Sequence, residues 1–155
     1  MGRQFSGHHK MNTINQAIGA LGFERNPVVI NRAACGQGVS VLKDGDFFTD
    51  TDHGPFRAWG ICDLTCNSRG LSMAIGVMPP HTEGSFHAHD DSDTALYIHS
   101  GRVIAEWLDA EGNCIQSEVC AGEFIYIPRG TQHRPVNPFN GPMAYIVSRN
   151  VGRAD

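Results

Sequence analysis

Three histidines are the residues of this 155-residue chain whose types and spacing most directly imply chemistry. His87 and His89 stand two apart in Gly84-Ser85-Phe86-His87-Ala88-His89. On an extended strand, residues two apart project to one face, so both imidazoles enter the same space. His133 lies in a second strand-like stretch, residues 122–137, reading GEFIYIPRGTQHRPVN. Two short motifs that each offer histidine to a common interior read as a metal site inside a β-barrel. Imidazole suits one divalent ion, Fe(II) first, with Zn, Ni, Mn or Cu as the other choices. Three neutral nitrogens leave coordination positions open and leave the ion its full charge. Such an ion favours an anionic chelating substrate: an enolate, carboxylate, phenolate or thiolate. That points to a dioxygenase using O2, with a non-oxidative isomerase or lyase and a non-catalytic small-ligand-binding barrel as the competing classes.

Other side chains are weighed against this trio. Tyr126 and Tyr145 offer hydroxyls as catalytic groups, although strand aromatics are more often core. Asp90, Asp91 and Asp93 form an acidic run beside the histidines and read as a solvated loop at the mouth. Met73, Phe124, Trp59, Ile98 and Met143 are candidate pocket walls, and Glu106 and Arg102 read as surface charges. His99 reads as an ordinary strand residue. His53 and His81 fall in loops, and His8 and His9 in an N-terminal stretch that is not counted as ligating.

The elements that must hold these residues are short strands separated by turns. Strands are expected over Val28–Ile30, Ser40–Leu42, Arg57–Leu64, Leu71–Met78, Ser85–His89, Thr94–His99, Arg102–Leu108, Cys114–Val119, Phe124–Ile127, His133–Val136 and Met143–Arg149. Turn chemistry such as Lys43-Asp44-Gly45-Asp46 and Asn140-Gly141-Pro142, with 18 glycines and 8 prolines in all, separates them. This is an all-β pattern. Leu71, Met73, Ile75 and Val77 are expected to share a buried face, as are Val103, Ala105 and Trp107, and Ile115, Ser117 and Val119. Glycines at 101 and 112 suggest that residues 94–119 form a three-stranded meander. Residues 1–27 read as an N-terminal extension with a short helix over 12–23, and residues 28–155 as one barrel domain.

Composition excludes several functions. A net charge of -4 and the absence of a basic run give no footing for nucleic acid or an anionic membrane surface. No apolar run approaches the roughly 20 residues that span a bilayer. The 5 cysteines are odd in number and scattered, which fits reduced thiols buried in strands and a cytoplasmic setting.

The two motifs resemble those of the cupin superfamily. His87, His89 and Gly101 match the family's first motif, a glycine-bounded H-x-H segment. Gly122, Pro128, Gly130, His133 and Asn137 fill every fixed position of the second, G-x5-P-x-G-x2-H-x3-N. The resemblance implies a single-domain cupin jelly-roll β-barrel that binds metal and pairs into a homodimer. Thr94 stands where the family usually carries a glutamate ligand, and Asp93 beside it points to the opposite face of a regular strand. The ligand set is therefore similar to that of cysteine- and diketone-cleaving dioxygenases, which bind iron through three histidines. Thr94 is left a non-ligating or supporting role.

Overall fold

Alternating strand residues and sharp glycine corners build two antiparallel sheets that face each other across the core. The computed structural model describes residues 39–43, 46–50 and 55–154. The strands are β1 (Phe48–Asp50), β2 (Phe56–Ile61), β3 (Ser72–Met78), β4 (Thr82–Glu83), β5 (Thr94–Ser100), β6 (Arg102–Leu108), β7 (Cys114–Cys120), β8 (Phe124–Ile127), β9 (His133–Asn137) and β10 (Met143–Arg149). One sheet has six strands in the order β1-β2-β3-β10-β5-β8, and the other has four in the order β4-β9-β6-β7. The arrangement is the expected all-β jelly roll.

The expected helix over 12–23 and strand Val28–Ile30 lie outside the described residues. Residues 39–43 carry no regular structure, against the strand expected at Ser40–Leu42. The strand expected to run to Leu64 ends at Ile61 and gives way to a single helical turn, α1 (Asp63–Cys66). Thr65 causes this locally: its hydroxyl accepts from Cys62 N at 3.0 Å and donates to Gly60 O at 2.9 Å. Asn67 then closes the turn in the left-handed conformation, φ 55°.

The meander expected over 94–119 does not form. β5 and β6 belong to different sheets, and Gly101 alone separates them. Gly101 has φ 76°, and a Cβ there would strike the Pro142 carbonyl oxygen. The residue must be glycine for the chain to turn this corner.

The buried face of β3 is the opposite of the expected one. Ser72, Ala74, Gly76 and Met78 point inward, while Met73, Ile75 and Val77 lie on the outer side. The reason is space. The Tyr145 ring lies over Gly76, where any Cβ would overlap it, so the inner row is small at Ser72, Ala74 and Gly76, opposite Arg149, Val147 and Tyr145 of β10. The core gathers Trp59, Cys62, Ala74, Met78, Ile98, Val103, Val119, Met143, Tyr145 and Val147. Burying each of the larger ones contributes about 1.5–3 kcal/mol. On the outer side, Phe56 and Ala58 form a second small cluster with Phe47 and Val77.

Candidate metal centre

The histidine pair sits on a bulged segment instead of the expected regular strand. β4 pairs with β9 through Thr82↔Asn137 and Glu83↔Val136, and the next bridge is His87↔His133. Three residues, 84–86, thus stand opposite two, 134 and 135. The extra residue re-aims His87, as bulges beside functional sites commonly do. Gly84 lies against the Pro135 ring, and Gly84 N donates to Pro135 O at 2.9 Å. Reciprocal bonds of 3.0 and 2.9 Å between the His87 and His133 backbones then lock the two motifs together. Gly130 N donates to His89 O at 2.8 Å and fixes the far end.

The three rings converge. Their centroids are 5.0 Å apart for His87–His89, 4.4 Å for His87–His133 and 5.5 Å for His89–His133. One nitrogen from each lies within 4.8 Å of the other two. His87 Nδ1 is 2.9 Å from Ser85 O, and His133 Nδ1 is 2.8 Å from Thr131 O. A carbonyl only accepts, so both Nδ1 atoms carry the hydrogen and each Nε2 presents a lone pair. Arg149 Nη2 donates to Nε2 of His89 at 2.9 Å. Burial pushes the His133 imidazole down to about 4, with His87, Arg149 and Arg57 adding repulsion. His133 is therefore held neutral, the form that ligates. Three converging imidazoles are a donor set suited to one divalent ion.

The expected acidic and hydroxyl residues divide sharply. Thr94 begins β5 on the inner face, is 3% exposed and lines the cavity at the histidines. Asp93 turns away: Arg129 N donates to its Oδ1 at 3.1 Å and Asn150 Nδ2 to its Oδ2 at 3.3 Å. Arg129's hydrogen bonds hold its carboxyl below the usual range. Asp91 pairs with Arg153 at 2.7 Å. Asp93 is absent from the potential metal ligands found among the described residues. Tyr145 is buried in the cavity wall, and its hydroxyl accepts from Arg57 Nε at 3.4 Å. Tyr126 is 66% exposed, on the side of β8 opposite the inward Ile125 and Ile127.

The cavity beside the rings is about 590 Å³. Ile98 and Met143 contribute to its wall, as expected, whereas Phe124, 76% exposed on the same side of β8 as Tyr126, only borders its rim. Trp59 instead lies in the core and Met73 on the outer face. Glu106 is also misjudged as a surface charge, since its side chain is only 15% exposed and accepts from Arg134 Nε at 2.7 Å. Arg102 is exposed and pairs with Glu118. His81 is tied to Asn140 Oδ1 at 3.0 Å, and His53 lies outside the described residues. Among the described residues only Cys62 is a buried thiol; Cys66 is half-buried, and Cys114 and Cys120 are exposed on β7.

Sequence reasoning missed two arginines. Arg57 is 8% exposed and Arg149 3%, and both enter the cavity wall from the inner face of the six-stranded sheet. Their only sequence signal is register: Arg57 faces Gly76 across β2–β3, and Arg149 faces Ser72 across β10–β3. That pairing is invisible before the sheet order is known.

Comparison with known proteins gives one consistent result. Residues 74–149 match the cupin domain family. Germin-like protein 11-1 of Oryza sativa subsp. japonica is 30% identical over 71 residues, covering 46% of this chain and 32% of that protein. The chain thus spans only about a third of this relative's length. Among solved structures, a Bacillus subtilis oxalate decarboxylase with Mn(II) centres superposes with TM-score 0.64 at 17% identity, covering 85% of this chain and 38% of that one. An oxalate oxidase in complex with glycolate superposes with TM-score 0.59 at 21% identity, covering 68% and 55%. At these identities the structural likeness establishes the fold. Among the described residues, no helix is long and apolar enough to cross a membrane.

Proposed function

Because the chain belongs to the cupin superfamily, we propose that it is a mononuclear metal enzyme, a non-haem iron dioxygenase acting on a small chelating organic anion. The carrying observation is the convergence of three imidazoles with two buried arginines around one cavity. His87, His89 and His133 would hold the ion. A divalent ion there supplies Lewis acidity and open positions for ligands. Three neutral ligands subtract nothing from its charge, and Arg57 and Arg149 add to it, so the cavity selects an anion.

The remaining residues act on that anion. Arg57, steadied by its hydrogen bond with Tyr145, directs a guanidinium into the cavity. Leu96, Ile98, Val103 and Val147 exclude water along the wall and strengthen those charge interactions. The carbonyls of Ser85 and Thr131 orient two of the imidazoles. The structural relatives named for oxalate chemistry support a substrate of the same kind, a small carboxylate. They also give weight to a second reading, a lyase step without O2. The reading includes a homodimer, with the exposed Phe124 and Tyr126 of edge strand β8 as one surface to cover, and a cytoplasmic location.

The test is metal analysis of anaerobically purified protein, followed by O2 uptake with oxalate, other chelating acids, diketones and phenols. Near-stoichiometric iron with substrate-dependent O2 consumption is expected. Turnover without O2 uptake would replace the dioxygenase with a lyase or isomerase. Binding without turnover under any metal would leave a ligand-binding barrel.

A further inference from the structure

β7 and β8 follow each other in the chain yet form the outer edges of opposite sheets. Their connection is pinned at the Gly101 corner, where Ala121 N donates to Gly101 O at 3.0 Å and Gly122 N to Ile98 O at 2.8 Å. Beyond that corner no ladder joins the two strands among the described residues. The apolar side chains that face inward along this seam are therefore only partly covered. Leu96, Trp107, Ile125 and Ile127 are half-buried, and Ile115, paired with Trp107 on the inner face, is 38% exposed. Val103 and Val119, a paired couple on the same inner face nearer the corner, are buried. Apolar surface that faces inward and still meets water marks a place for a ligand or a partner.

The seam opens beside the histidines. Trp107 stands directly across from His133 in the β6–β9 ladder, and Ile127 directly across from Thr94 in the β5–β8 ladder. Leu96, Trp107, Ile125 and Ile127 line the same cavity as the three imidazoles. Its 590 Å³ is about twenty times the ~30 Å³ that one water occupies in the liquid. That size belongs to sites that enclose whole organic molecules. Oxalate at the histidines would leave most of the space as water against apolar walls.

We propose that the substrate carries an apolar body beside its chelating end: an aryl-bearing acid that chelates through its carboxylate and an α oxygen. The ring sits in the seam against Trp107, Leu96, Ile125 and Ile127, and the oxygens face the histidines. The Trp107 indole favours an aryl group over an alkyl one, because it offers a ring an aromatic partner. This deepens the chelating-anion reading and rests on it for the head group. The seam itself supplies the selectivity for the body.

Mandelate and glycolate share one chelating head and differ by a phenyl ring, so their affinity ratio isolates the seam. Full-length protein loaded with Zn(II) is titrated calorimetrically with each. Mandelate should bind about tenfold more tightly or better, the gain expected from burying a ring. Trp107→Ala should cut that ratio to about threefold or less. Thermal melts establish that each variant folds, and Ile125→Ala carries the test if Trp107→Ala does not. Ile104→Ala, on the outer side of β6, should keep the full ratio. Equal affinities in the wild type, or a preference that survives both Trp107→Ala and Ile125→Ala, would overturn the proposal and leave the chelating-anion reading standing. Failure of both acids to bind, or of the protein to take up Zn(II), would sink that reading and this one with it.

Discussion

Arg149 Nη2 lies 2.9 Å from Nε2 of His89, so that ring nitrogen already accepts a hydrogen bond from a fixed cation. A metal ion and this hydrogen bond compete for one lone pair. The arginine also repels any cation that settles among the imidazoles. Arg149→Gln should therefore bind Zn(II) more tightly, by roughly tenfold, given the weight of a unit charge at short range in a partly buried site. Chelator competition measures it. Weaker binding by a folded variant would show that Arg149 organises the ligands instead of opposing the metal.

Metal-free protein should lose stability in mild acid because of His133. Burial lowers this imidazole to about 4 from an ordinary 6.5. Between those values the unfolded chain takes up a proton that the folded protein refuses, so stability falls as pH drops from about 6.5 to about 4 and levels off below. The expected loss is about 2 kcal/mol after solvent screening. Urea melts of metal-free protein at pH 7 and pH 4.5 measure it. His133→Gln should flatten the difference, and an equal slope in that variant would place the effect elsewhere.

Thr94→Glu should restore a carboxylate to the inner face beside the histidines. It would lower the site's net charge by one, tighten divalent metal binding at least several-fold and weaken added oxalate. Metal titration with and without oxalate reads both effects. A variant that gains metal affinity while keeping full oxalate binding would refute the link between the site's charge and the anion.

Gly101→Ala should destabilise the fold by about 2 kcal/mol or more, because it combines left-handed backbone with a clash against Pro142. Gly112→Ala shares the positive φ but has open space around it, so it should cost less. Equilibrium unfolding of the pair separates backbone strain from crowding. Equal losses would show that the Pro142 contact contributes nothing.

The strands legible in the sequence were those with clear alternation and firm ends. Arg102–Leu108, Phe124–Ile127 and Met143–Arg149 run as expected. The histidine trio was legible because its spacing carries the chemistry directly. The inward face of β3 was not, since Met73-Ile75-Val77 and Ala74-Gly76-Met78 are both apolar rows with no polar contrast to separate them. What decides between them is the Tyr145 ring over Gly76, a contact between distant strands. The crossing at Gly101 was hidden for a similar reason: a glycine turn looks alike whether the chain pairs back or changes sheets. Arg57 and Arg149 read as unremarkable strand residues until pairing with Gly76 and Ser72 turns them inward.

The one-residue corner at Gly101 also bears on how the barrel can move. Two seven-residue strands, β5 and β6, run from that corner to the end where Thr94 and His133 lie, and Pro142 presses against the corner itself. β5 and β6 are joined there by one residue, so the two sheets have least freedom to part at that corner, and the histidine rim lies at the other end. There Asp93–Arg129 and Asp91–Arg153 are solvent-exposed ion pairs that open at little cost. An opening for a ligand would therefore lie at the rim, where surface ion pairs and not a covalent corner close the barrel.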